Sequence, residues 1–195
     1  MIYVNKLQET NITSGQMNML FRLRIIFRDI ATWIRAYLVS TDPELKQAIK
    51  EKLNNLPIEY GNVLRLYFGD NAAKEFTSLF SNYFKLMISL IDAQESGDTN
   101  AANEYTKQLD QNVDERVNFL SRINPFWEKN ILSNYLKNYN DMTIEEINTF
   151  LTKDYKRNVD LFDRILNLTS DIGDYIADGL VKFFTFSSRE PRVPE

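Results

Sequence analysis

The chain has 195 residues, 44% of them hydrophobic and 26% charged, with 23 Lys and Arg against 27 Asp and Glu and neither cysteine nor histidine. That length buries one substantial core, and a net charge of -4 argues against a surface built to hold a nucleic-acid backbone, which needs clustered Lys and Arg. Without thiol or imidazole there is no disulfide, no Ser-His or Cys-His nucleophile pair, and no zinc, copper or haem site of the usual ligands; a metal would have to rest on carboxylates.

In chain order, residues 1–13 and 187–195 read as flexible tails around a single domain, 14–186. Residues 1–13 lack the basic and then apolar pattern of a secretory signal, and no apolar run approaches the roughly 20 residues of a membrane span. The expectation is a cytoplasmic protein with no membrane partner. Ser14 or Gly15 opens a first helix to about Ser40, whose Leu20, Leu23, Phe27, Ile30, Ile34 and Tyr37 share one face while Arg24, Arg28 and Arg35 share another. Asp42-Pro43-Glu44 supplies N-cap, N1 proline and first-turn acid for a second helix, in which Pro57 predicts a kink or a division. Gly69-Asp70 closes it and caps a third, about Asn71 to Ser96, with the apolar stripe Phe76, Leu79, Phe80, Tyr83, Met87 and Leu90.

Gly97-Asp98 repeats the stop and start, giving a fourth helix from about Thr99 to Ile123, which Asn124-Pro125 ends. Phe126 to Asn140 reads as a short fifth helix with Leu132, Tyr135, Leu136 and Tyr139 on one face. Thr143-Ile144-Glu145-Glu146 matches a capping box opening a long last helix towards Phe184, with a bend near Gly173. Few glycines and prolines, most of them between periodic segments, make the expected fold all-α: an up-and-down bundle of about six helices, ferritin-like in general architecture. Sliding the chain by 56 residues sets Glu59, Val63, Leu64 and Tyr83 beside Glu115, Phe119, Leu120 and Tyr139, which points to a duplicated helical hairpin, with coincidence among apolar helices as the rival.

Three features invite a functional reading. Asp160, Asp163, Asn167, Asp171, Asp174 and Asp178 form an acidic stripe on the last helix, opposite Leu161, Ile165, Leu168, Ile172 and Ile176, and so belong to a solvated face rather than a cation site. Tyr83 and Tyr139 stand mid-stripe, where their hydroxyls either line a small polar pocket or complete a core. Gly179 to Phe186 is an apolar, aromatic end suited to cover one end of the bundle. No phosphate-cradling glycine loop occurs.

The string from Asn112 to Trp127, NVDERVNFLSRINPFW, resembles an N-A-D-E-I-x-x-F-L-S-x-A-N-P-x-W segment of uncharacterised helical-bundle proteins of spore-forming bacteria. Leu66 to Ala72 is similar to that family's P-Y-Y-G-x-x-A turn and Phe27 to Arg35 to its W-x-D-H-x-x-W-T-R helix; with Asp154-Tyr155 and Leu161 to Asp163, the likeness spans about Leu20 to Phe184. The resemblance implies interior histidines at the positions held here by Ile30, Tyr83, Tyr139 and Leu166. Their loss predicts no metal and no cofactor, and makes those four residues the candidate interior pocket. The expected function is that of a non-catalytic binding, scaffold or self-associating protein, forming a homodimer or engaging a protein partner. The alternative is a ferritin-like bundle binding a metal or small ligand through tyrosines and carboxylates such as Asp29, Glu59, Glu115 and Asp163. An enzyme is not expected, since no nucleophile-base pair is present.

Overall fold

The computed structural model describes residues 13–187. They form five helical elements, α1 (Ser14–Val39), α2 (Pro43–Ser96), α3 (Thr99–Ile123), α4 (Lys129–Leu151) and α5 (Tyr155–Ser187), with no strand among the described residues. The all-α expectation is met. Of the expected tails, Thr13 belongs to the fold: its hydroxyl accepts from the Gln16 amide while the Gln16 side chain accepts from the Thr13 amide, a capping box at the start of α1. The rest of those tails, 1–12 and 188–195, lies outside the described residues.

Within α2 one residue leaves helical geometry. Gly69 sits at φ 78°, ψ -177°, a conformation glycine reaches without a Cβ penalty. On a straight helix residues 46 and 95 would lie about 74 Å apart, yet Lys46 Nζ meets the Glu95 carboxylate at 2.5 Å. The limbs 43–68 and 70–96 therefore fold back on one another about Gly69. They cross closely where the Thr77 hydroxyl donates to the Pro57 carbonyl at 3.3 Å and where Gly61 leaves no room for a side chain against Thr77. Pro57, expected to kink or divide this helix, stays at helical dihedrals; the division falls at Gly69.

Asp42, Asp98 and Gly97 cap as the sequence suggests: the two carboxylates accept from Leu45 N and Ala101 N, and Gly97 closes α2 in the left-handed region. The α4–α5 boundary differs from expectation. α4 runs through Thr143, whose hydroxyl donates back to the Tyr139 carbonyl at 2.8 Å and so cannot cap a new helix. The chain instead turns at Thr152-Lys153-Asp154, where Lys153 takes φ 63°, Asp154 N bonds Thr149 O in a Schellman-type closure, and the Asp154 carboxylate accepts from Arg157 N.

α1 packs against α2 and α5, α5 against α4, α4 against α3, and α3 against α2, so the helices close a ring around one core. Arg24 pairs bidentately with Asp174, and Arg35 reaches Asn158 and Glu146, which sets α1 antiparallel to α5. The backbone of Arg24 lies where a Cβ on Gly173 would stand, so Gly173 admits a close approach of α1 to α5. The core draws on every helix and includes Ile34, Phe84, Met87, Leu109, Phe119 and Ile147.

Candidate functional site

The α3–α4 connection positions one wall of the interior. Asn124 accepts from Phe126 N through its side-chain oxygen and donates through its amide to the Gly179 carbonyl at 3.0 Å, while the Trp127 indole N–H donates to Ile176 O at 3.2 Å. Both side chains are buried, and Gly179 is obligatory because a Cβ there would stand 2.2 Å from the indole. Asn124 to Trp127 thus docks the turn on α5. Phe68 packs at a tilt against both Trp127 and Phe183, and Tyr67 meets Phe184, so the apolar end of α5 covers the bundle end.

Behind Trp127 lies an apolar chamber of about 60 Å³, walled by Phe76, Leu120, Leu132, Ile176 and neighbours. Its outer residues Leu23, Leu64 and Tyr67 are half-buried. Tyr60 also faces it, with a buried hydroxyl that has no partner and that burial pushes above the usual phenol range.

A second, smaller space of about 10 Å³ adjoins the chamber; Phe27, Phe80, Leu136 and Ile172 line both. It is also lined by Ile30, Tyr83, Tyr139 and Arg116. Three of the four positions singled out by the resemblance are thereby brought together. Leu166 is not: it is half-buried on α5, and its carbonyl accepts from Arg28 and Ser170.

Arg116 is the residue the sequence reading missed. It is 2% exposed, its Nε makes a long bond of 3.4 Å to the Asn112 carbonyl, and its Nη2 has no partner. The guanidinium lies 4.5 Å from the Tyr83 ring and 5.5 Å from the Phe80 ring. Cation–π contact of this kind contributes about 2 kcal/mol when desolvated, well short of the cost of burying an unpaired charge. Burial pulls the Arg116 pKa down to about 10, and its electrostatic neighbours are Tyr83 and Tyr139. The hydroxyls of both tyrosines are buried and without a hydrogen bond of normal geometry. Burial pushes Tyr83 up to about 12 against the pull of Arg116, and raises Tyr139 further, with Tyr83 adding to the effect. A signal for Arg116 was present in the sequence: Leu109, Val113, Arg116 and Leu120 follow the i, i+4, i+7, i+11 rhythm of a buried stripe, and one member is charged.

The other candidates resolve differently. Asp160, Asp163, Asn167, Asp171 and Asp178 are exposed, Asp178 pairing with Lys182, and Asp174 pairs with Arg24, so the acidic stripe is a solvated face. Glu59, Glu115 and Asp163 are exposed and Asp29 half-buried; they do not converge, and the described residues hold no group of three or more acids placed to share a metal ion. No described helix is long and apolar enough to cross a membrane. No protein-family model, curated protein or solved structure matches this chain.

Proposed function

We propose that the protein is a non-catalytic binding protein that takes a small apolar ligand into the interior of its bundle. One observation carries this: an apolar chamber adjoins a space in which Arg116, Tyr83 and Tyr139 present polar atoms without partners. Buried polar groups in native proteins are nearly always satisfied, and a small, mostly apolar cavity with a few convergent polar groups is the usual form of a ligand site. Catalysis gains no support, since the buried titratable groups comprise no nucleophile with a base beside it. The metal arm of the alternative has no support either, because Glu59, Glu115 and Asp163 are exposed and the half-buried Asp29 does not converge with them. The pairing of Tyr83 with Tyr139 across this space, 56 residues apart, suits a duplicated hairpin in which 43–96 and 99–151 are the two copies.

The test is a titration of the full chain with hexan-1-ol, followed by amide NMR shifts. Residues lining the chamber shift saturably in the parent, and Leu132→Phe, which fills the chamber, abolishes the response while the protein stays folded. Shifts confined to surface residues, or unchanged in the filled variant, would reject the reading.

A second reading, self-association, has its own support. Met17, Phe21 and Ile25 recur every four residues along α1 and are 37%, 51% and 56% exposed, beside a surface depression that Tyr67 also lines. An exposed apolar row of this kind suits a helix-to-helix contact between copies. Sedimentation should then show a dimer that Phe21→Glu with Ile25→Glu converts to monomer; a parent that is monomeric at high concentration removes this reading.

A further inference from the structure

We propose that the interior binds a short alkyl carboxylate, with its carboxylate on Arg116, Tyr83 and Tyr139 and its alkyl tail in the adjoining apolar chamber. The inference deepens, and rests on, the reading of the chamber as a ligand site.

The head group follows from donor chemistry. Arg116 Nη2 can only donate and has no partner, and the Tyr83 and Tyr139 hydroxyls face one another, so that one of their two protons is directed at the other tyrosine and one is left to donate; Nη2 and that proton suit a species that only accepts. A carboxylate accepts and is negative. Water would satisfy hydrogen bonds but leave the buried cation without a counter-charge, and among the described residues no acid is one of the groups that act on Arg116. Glu146, the acid that acts on Tyr139, is taken by Arg35. A carboxylate sets one oxygen in the space of about 10 Å³ and its carbon towards the chamber, whereas a phosphate, with four oxygens and up to two charges, brings more polar atoms than that space holds.

The tail follows from size. A water-sized group needs about 10–15 Å³ measured this way, so the polar space takes one such group and the chamber of about 60 Å³ takes roughly five. A chain of about five carbons beyond the carboxylate fits, and Phe27, Phe80, Leu136 and Ile172 line the passage between the two spaces. Hexanoate is the probe that matches both requirements.

The experiment is isothermal titration of the full chain at neutral pH with hexanoate and with hexan-1-ol. Hexanoate should bind roughly 10- to 100-fold more tightly, the range of hydrogen bonds to charged groups. Arg116→Met should bring hexanoate down to the level of hexan-1-ol and leave hexan-1-ol unchanged. Tyr139→Phe, which keeps the cation and the ring, should weaken hexanoate by roughly 3- to 10-fold and decides the matter if Arg116→Met does not fold. Equal binding of the two probes to the parent, or hexanoate binding indifferent to both substitutions, overturns the carboxylate assignment while the chamber reading stands. Failure of both probes to bind rejects the chamber reading itself. Sodium chloride that stabilises the parent, but not Arg116→Met, as much as hexanoate does at equal ionic strength would put an inorganic anion on Arg116 and overturn the alkyl carboxylate.

Discussion

Two arginines enter the interior of this bundle and meet opposite fates. Arg35 on α1 pairs with Glu146, donates to Asn158 Oδ1 at 2.9 Å and lies over the Phe162 ring at 4.4 Å. Asn158 in turn donates to Glu146 O and Thr149 Oγ1, so the cluster that clasps α1, α4 and α5 closes on itself. Arg116 on α3 has aromatic rings and one long bond to a carbonyl, and no acid. The difference separates a charge that holds helices together from a charge that no acid among the described residues pairs.

The largest expected effect comes from breaking the closed cluster. Glu146→Ala leaves Arg35 without its anion and should cost about 3 kcal/mol in urea unfolding, whereas Arg116→Met, which removes an unpaired buried charge, should stay within about 1 kcal/mol of the parent or exceed it. Equal losses from the two would erase the distinction. Gly179→Ala touches neither arginine and sets the scale for a purely steric fault: the new methyl meets the Trp127 ring, and a loss of about 2 kcal/mol should appear as a lowered urea midpoint at unchanged m-value.

Titration sharpens the same contrast. Tyr83 and Tyr139 have folded pKa values above the ordinary 10, so the folded chain keeps protons that the unfolded chain releases, and stability falls as pH rises above 10. Arg116 works the other way: lowered to about 10, it loses its proton in the folded chain before it does in the unfolded chain, and its share of stability increases with pH above 10. Arg116→Met removes that offset, so its stability should decline more steeply above pH 10 than the parent's, as followed by circular dichroism. For Glu146 burial outweighs the pull of Arg35 and raises the pKa, so stability from this group is present below 4.5 and lost as pH rises through the folded value. Relative to Glu146→Gln, the parent should therefore lose ground as pH rises from 4 towards neutrality.

The smallest effect lies at the turn after α4. Lys153 holds φ 63°, which a side chain with a Cβ adopts at a cost, and Lys153→Gly should raise stability by about 0.5 kcal/mol. Its measurement is again the urea midpoint.

How much of this the sequence carried depends on the residue. Gly97, Asp42 and Asp98 declared their caps because their chemistry at helix ends is local. Lys153 concealed the α4–α5 turn, since lysine is not a residue that signals a left-handed position, and Thr143 to Glu146 imitated a helix start while two of its members serve other ends: Thr143 bonds back to Tyr139, and Glu146 is buried against Arg35. The fold-back at Gly69 was legible as a glycine helix end, whereas Pro57 stays inside its helix, at a crossing of the two limbs that no local pattern contains. At the interior site, Tyr83 and Tyr139 were legible from their place mid-stripe and Ile30 only through the resemblance, which also pointed to Leu166, the one that does not reach the site. Arg116 was visible only as a charge at the wrong place in an apolar rhythm.

A crystal structure of the full chain with 6-bromohexanoate bound tests the central claim most directly. The account predicts bromine in the chamber near Leu132 and Ile176 and the carboxylate against Arg116 Nη2, with the Tyr83 and Tyr139 hydroxyls turned towards it. Bromine at the surface only, or a carboxylate seated away from Arg116, would contradict it.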